Sequence, residues 1–113
     1  MVELTPASIA NTLANISKEI ENKADEIAEL DRDSTAMRVL LKKAYAEKFL
    51  TTEASNEVRR YTAELYTSDM LYKVEIQEAL LRSARESMKV LRDRLEVGRS
   101  LGAIMRMEWS GRE

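Results

Sequence analysis

The chain has 113 residues, of which 44% are hydrophobic and 34% charged. That is room for one small domain, and it excludes a disordered tail or a membrane-spanning protein. Cys and His are both absent, so a disulfide framework, thiolate chemistry, His/Cys zinc sites and His-based acid–base catalysis are excluded.

The low aromatic content, three glycines and one proline describe a helical chain. The N-terminus shows no basic-then-apolar leader pattern, and no apolar run approaches the roughly 18 residues of a membrane span. A cytoplasmic, non-membrane protein is expected. The net charge of −2 is unevenly spread. Residues 1–57 hold 7 basic and 11 acidic side chains, residues 58–113 hold 11 and 9, and the stretch 79–106 holds 7 and 3. Such asymmetry fits a nucleic-acid face, and it fits equally well two helices that attract each other.

The first predicted element is a long helix over residues 1–50. Thr5 is a good N-cap and Pro6 a good first helical residue. Ile9, Leu13, Ile16, Ile20, Ala24, Ile27 and Leu30 then recur at three- and four-residue steps, and Met37, Leu41 and Ala44 continue them. A helix of roughly 44 residues is about 66 Å long and must pair along its length. Asp31-Arg32-Asp33-Ser34 are weak helix formers, so a bend or break is expected there. The face with Lys18, Glu19, Glu21, Asp25, Glu26 and Glu29 reads as solvated surface. Lys42, Lys43 and Lys48 close the helix and complement its negative C-terminal end. Tyr45 and Phe49 lie among these lysines, an interleaving that suits base stacking on single strands and suits core packing as well.

Residues 51–67 are the least regular, with polar breaks at Thr51-Thr52 and Ser55-Asn56. They read as a connector, with a short helix or strand left open, and Arg59 and Arg60 are exposed in either case. A second long helix is expected over 68–109, capped at Thr67-Ser68 with Asp69 in its first turn. Its apolar seam is Leu81, Ala84, Met88, Leu91, Leu95, Gly98, Gly102 and Met105, which reads as an oligomer interface. Gly98 and Gly102 allow close approach or, alternatively, a kink. Arg85, Arg92, Arg99 and Arg106 recur every seven residues on a neighbouring stripe. The expected architecture is thus all-α: two long amphipathic helices and a short irregular connector, coiled-coil-like and oligomeric. No catalytic constellation, phosphate loop or cofactor motif is visible, so an enzyme is not expected.

Met70-Leu71-Tyr72-Lys73-Val74-Glu75, Leu80-Leu81, the small Ser83/Ala84/Ser87 set, Leu91-Arg92-Asp93-Arg94 and Ile104 to Trp109 together resemble the C-terminal half of the UvsY family of phage recombination mediators. The first helix resembles that family in layout only. The resemblance implies a helical, ring-like homo-oligomer joined through its C-terminal helix. It also implies binding to single-stranded DNA and loading of a recombinase onto strands covered by single-strand-binding protein, in a host cytoplasm. The family's basic motif falls at Leu41-Lys42-Lys43-Ala44, where its arginine has no counterpart here. The expected DNA contacts are Lys42, Lys43, Lys48, Arg59 and Arg60, followed by Arg85 and Arg92. The competing expectation is a coiled-coil structural or assembly protein (a virion component, adaptor or chaperone) that binds only protein.

Overall fold

The fold is that of a computed structural model, which describes residues 4–111. It consists of two helices, α1 (Pro6–Thr51) and α2 (Asn56–Ser110), with no strand among the described residues. Thr5 caps α1 as its sequence demands. Its Oγ1 accepts from the Ser8 N–H at 3.1 Å, and its own N–H donates to Ser8 Oγ at 2.9 Å.

Of the bend or break expected at Asp31–Ser34, the break does not occur: α1 runs through these residues. Ser34 is buried and its hydroxyl donates to the Asp31 carbonyl at 3.1 Å, so its polar group is satisfied inside the helix. The kink considered at Gly98 does not break the helix either, since α2 is continuous there.

The connector is far shorter than 51–67. Only Thr52–Ser55 lies outside the helices, and α2 starts at Asn56 rather than near Ser68. The hydroxyls of Thr51 and Thr52 donate back to the Glu47 and Lys48 carbonyls at 2.8 and 2.6 Å, folding onto the last turn of α1. Ser55 is the cap: its carbonyl accepts from the Arg59 N–H at 2.9 Å, and Glu57 follows in the first turn. Thr67 and Ser68, expected as the cap, instead bond within the helix to the carbonyls of Ala63 and Leu65, both at 2.8 Å. A hydroxyl can cap a helix or fold back on the turn before it, and at these positions it does the second.

The chain divides into two compact units. The first joins α1 up to Glu26 with α2 from Ala84 onward. Its inward positions are Ile9, Leu13, Ile16, Ile20 and Lys23 on α1. On α2 they are Ala84, Met88, Leu91, Leu95, Gly98, Gly102 and Met105. Both rows keep alternating steps of three and four, the spacing of a heptad seam. The helices are antiparallel here: Leu13 lies on Gly98, and Ile9 on Gly102. Ala24, expected inside, is exposed, and Lys23 takes the place. Its stem is half-buried while its ammonium reaches Glu26 at 2.7 Å.

The second unit is Ile27–Ser83, including the turn. Here Ala63, Thr67, Val74 and Leu81 of α2 are buried together with Ser34 of α1. Arg38 crosses to Glu78, donating twice to one carboxylate oxygen at 2.6 and 3.0 Å.

These contacts change the role of the α2 seam. Of the eight residues expected at an oligomer interface, Leu81, Ala84, Met88 and Leu91 are buried and Leu95, Gly98, Gly102 and Met105 half-buried within one chain. Their cover within the chain is α1. The turn at 52–55 brings back a second helix of the same period, which supplies this cover from within the chain.

Candidate nucleic-acid interface

The five leading candidate cations lie in the second unit, around the turn. Lys42, Lys43 and Lys48 sit on the last turns of α1, and Arg59 and Arg60 on the first turns of α2. Lys42, Lys43 and Arg60 are exposed, whereas Lys48 and Arg59 are half-buried.

Aromatic rings lie between them. Tyr45 and Phe49, one helical turn apart, stack with centroids 6.4 Å apart and planes 21° from parallel. Three cations lie over rings: Lys48 Nζ is 4.8 Å from the Tyr66 centroid, Arg60 Cζ 4.9 Å from Tyr61, and Arg59 Cζ 6.0 Å from Phe49. Two of these contacts join α1 to α2, so they fix the cations as well as the helix ends. A cation over a ring contributes about 0.5–1 kcal/mol when exposed. The Arg59 Nε is buried without a hydrogen-bond partner among the described residues.

Two open hollows flank Tyr45. One, of about 510 Å³, is lined by Tyr45, Phe49, Asn56, Glu57 and Arg60. The other, of about 330 Å³, lies among Leu41, Lys42, Tyr45, Glu64, Thr67 and Leu71. Each hollow therefore has an aromatic wall and one cation, which suits a base with its phosphate. Each also has a carboxylate, Glu57 or Glu64, which opposes a phosphate. Across residues 42–66 five cations face four carboxylates. The local excess is small, so the arrangement favours contacts that combine stacking with charge over charge alone.

Arg85 and Arg92, the second-ranked candidates, belong to the other unit. Both are exposed on α2, and Arg85 already takes part in an interaction. Further along the same stripe Arg99 pairs with Glu96 at 3.0 Å. Five of the seven expected DNA contacts thus belong to the turn-containing unit and two to the other.

Sequence reasoning missed a second exposed apolar row on α2, carried in the first unit by Val90, Val97, Leu101 and Ile104. The spacing of Val90, Val97 and Ile104 by sevens was the available signal, hidden by the stronger seam beside it.

The class these features define is an all-α two-helix protein with a basic–aromatic cluster at its turn. No helix among the described residues is long and apolar enough to cross a membrane. No family model, curated protein or solved structure matches the chain.

Proposed function

We propose that the chain is a phage-type recombination accessory protein, a homo-oligomer that binds single-stranded DNA and assists recombinase loading in a host cytoplasm. One observation supports the DNA-binding part: Lys48, Arg59 and Arg60 lie over the rings of Tyr66, Phe49 and Tyr61 at the turn, with Tyr45 stacked on Phe49 and Lys42 and Lys43 on the adjoining turns of α1. Bases of a single strand stack on such rings and the cations hold its phosphates. A duplex keeps its bases stacked inside and is stiff, with a persistence length of about 150 base pairs. Repetition of the cluster in an oligomer raises the effective concentration for the next contact along one strand. The recombinase and single-strand-binding protein as partners rest on the resemblance of residues 68–109 to the UvsY family.

The test is titration of a labelled oligonucleotide across a salt series. A single strand held by five phosphate contacts gives a log–log salt slope of about −3.5. Substituting Lys42, Lys43 and Lys48 by Ala should bring that slope down by about 2 and weaken binding at every salt concentration. Unchanged binding by the triple variant removes these lysines from the site. No binding by the wild type at low salt removes DNA from the function.

The second reading is a coiled-coil structural or assembly protein. A specific observation favours it: Val58, Tyr61, Leu65 and Tyr72 form an exposed apolar side of α2, with Leu65 78% accessible. A protein partner covers such a side, and its binding resists salt.

A further inference from the structure

The second apolar row of α2 in the first unit has a complement on α1. Val90, Val97, Leu101 and Ile104 are 39–61% accessible. The row borders an open hollow of about 450 Å³ whose lining includes Ile16, Val90, Asp93, Arg94, Val97 and Leu101. Arg94 is the one charged side chain within the row from Val90 to Ile104. On α1, an exposed row of small residues with the same alternating spacing runs Ala10, Ala14, Ser17, Glu21, Ala24. Glu21 is its one charge.

Set antiparallel, the two rows match in a single register. Ala24 falls opposite Val90, Glu21 opposite Arg94, Ser17 opposite Val97, Ala14 opposite Leu101 and Ala10 opposite Ile104. Large apolar side chains meet small ones, and the two charges meet each other. A heptad shift in either direction sets Glu21 against Leu101 or Ser87, and Arg94 against an alanine, so that neither charge meets its opposite. The wider fields agree. Residues 4–26 carry two basic and four acidic side chains, and residues 84–111 carry six basic and four acidic. The rows lie on the two opposite sides of the hairpin: each is about a quarter-turn from its own helix's inward seam, and the helices run antiparallel. One chain therefore cannot close them on itself.

We infer that these rows are the contact between copies of this chain, the α2 row of one hairpin seated on the α1 row of the next. Such a contact is heterologous, so an open assembly keeps one free row at each of its two ends, and it grows until it closes on itself or continues as a filament. The inference rests on the self-association part of the proposed function and is independent of DNA.

The experiment measures mass by sedimentation equilibrium without nucleic acid, with circular dichroism as a check on folding. The variants are Glu21→Arg, Arg94→Glu and the two together. Wild type should sediment at a multiple of the 12.9 kDa chain. Each single reversal should sediment as the monomer with unchanged helicity, since both positions are exposed. The double reversal, and an equal mixture of the two single variants, should regain the wild-type mass. Single reversals at wild-type mass overturn the inference, as does a double variant that stays monomeric. A loss confined to Arg94→Glu also overturns it, since α2 rows packing on one another would give that result. A monomeric wild type sinks self-association altogether, whereas a failed DNA titration leaves this contact standing.

Discussion

Gly98 and Gly102 sit on the same seam four residues apart, yet they are not equivalent. A methyl group at Gly102 meets Ile9 at 3.6 Å, an ordinary contact, whereas at Gly98 it meets Leu13 Cδ2 at 2.6 Å. Neither glycine has a positive φ, so neither is needed for its backbone conformation. Alanine gains about 1 kcal/mol over glycine in a helix interior. Gly102→Ala should therefore raise stability by about that amount, read as a higher urea midpoint. Gly98→Ala should gain less, because the Leu13 side chain must move, and Gly98→Leu should destabilise. Equal gains from both alanine variants would mean that Leu13 does not lie against Gly98.

At the scale of the helix, α2 carries two apolar rows, one covered and one exposed, and a charge placed in each separates them. Leu91 is 7% accessible, covered within its own unit. Burying an unpaired carboxylate there should cost roughly 3 kcal/mol or more, so Leu91→Asp should lower the urea midpoint and helicity. Val97 is 61% accessible. Val97→Asp should change the hairpin's own stability by less than about 0.5 kcal/mol while removing self-association. Similar unfolding by both variants would erase the distinction between the rows. The Arg38–Glu78 bridge also works at this scale, tying α1 to α2 in the turn-containing unit. Both partners are partly exposed, so a double-mutant cycle should give a coupling below about 1 kcal/mol that shrinks with salt. A larger, salt-insensitive coupling would place the pair in a drier setting than its exposure indicates.

For the molecule as a whole, the net charge of −2 limits what one copy can do with a polyanion. Five cations beside four carboxylates give one copy little long-range attraction, so DNA affinity should depend on assembly. Arg94→Glu lies outside the turn cluster. If it dissociates the copies as expected, its affinity for a long oligonucleotide should fall at least tenfold, while affinity for a strand only a few nucleotides long should change little. The comparison is made by fluorescence anisotropy with long and short strands. Equal losses on both would make Arg94 itself a DNA contact.

Much of the architecture follows from local chemistry. The Thr5-Pro6 start, the three-and-four spacing from Ile9 to Leu41 and that from Leu81 to Met105 make two long helices unavoidable, because a heptad pattern defines an apolar face wherever it occurs. The pattern does not say whose helix covers that face. Only the turn at Thr52–Ser55, which returns α2 onto α1, decided that the seam is covered within the chain and that Val90, Val97, Leu101 and Ile104 stay exposed. The start of α2 lay beyond sequence reading for a related reason. Thr67-Ser68 and Ser55-Asn56 carry the same capping chemistry, and they differ only in the packing of the neighbouring turns, where Ala63 and Thr67 are buried and Ser55 is not. The basic–aromatic cluster divides in the same way. Lys42, Lys43, Lys48, Arg59 and Arg60 were legible as residue types, but Lys48 over Tyr66 and Arg59 over Phe49 are contacts between two helices, and chain order does not encode which rings a cation reaches after the chain turns back.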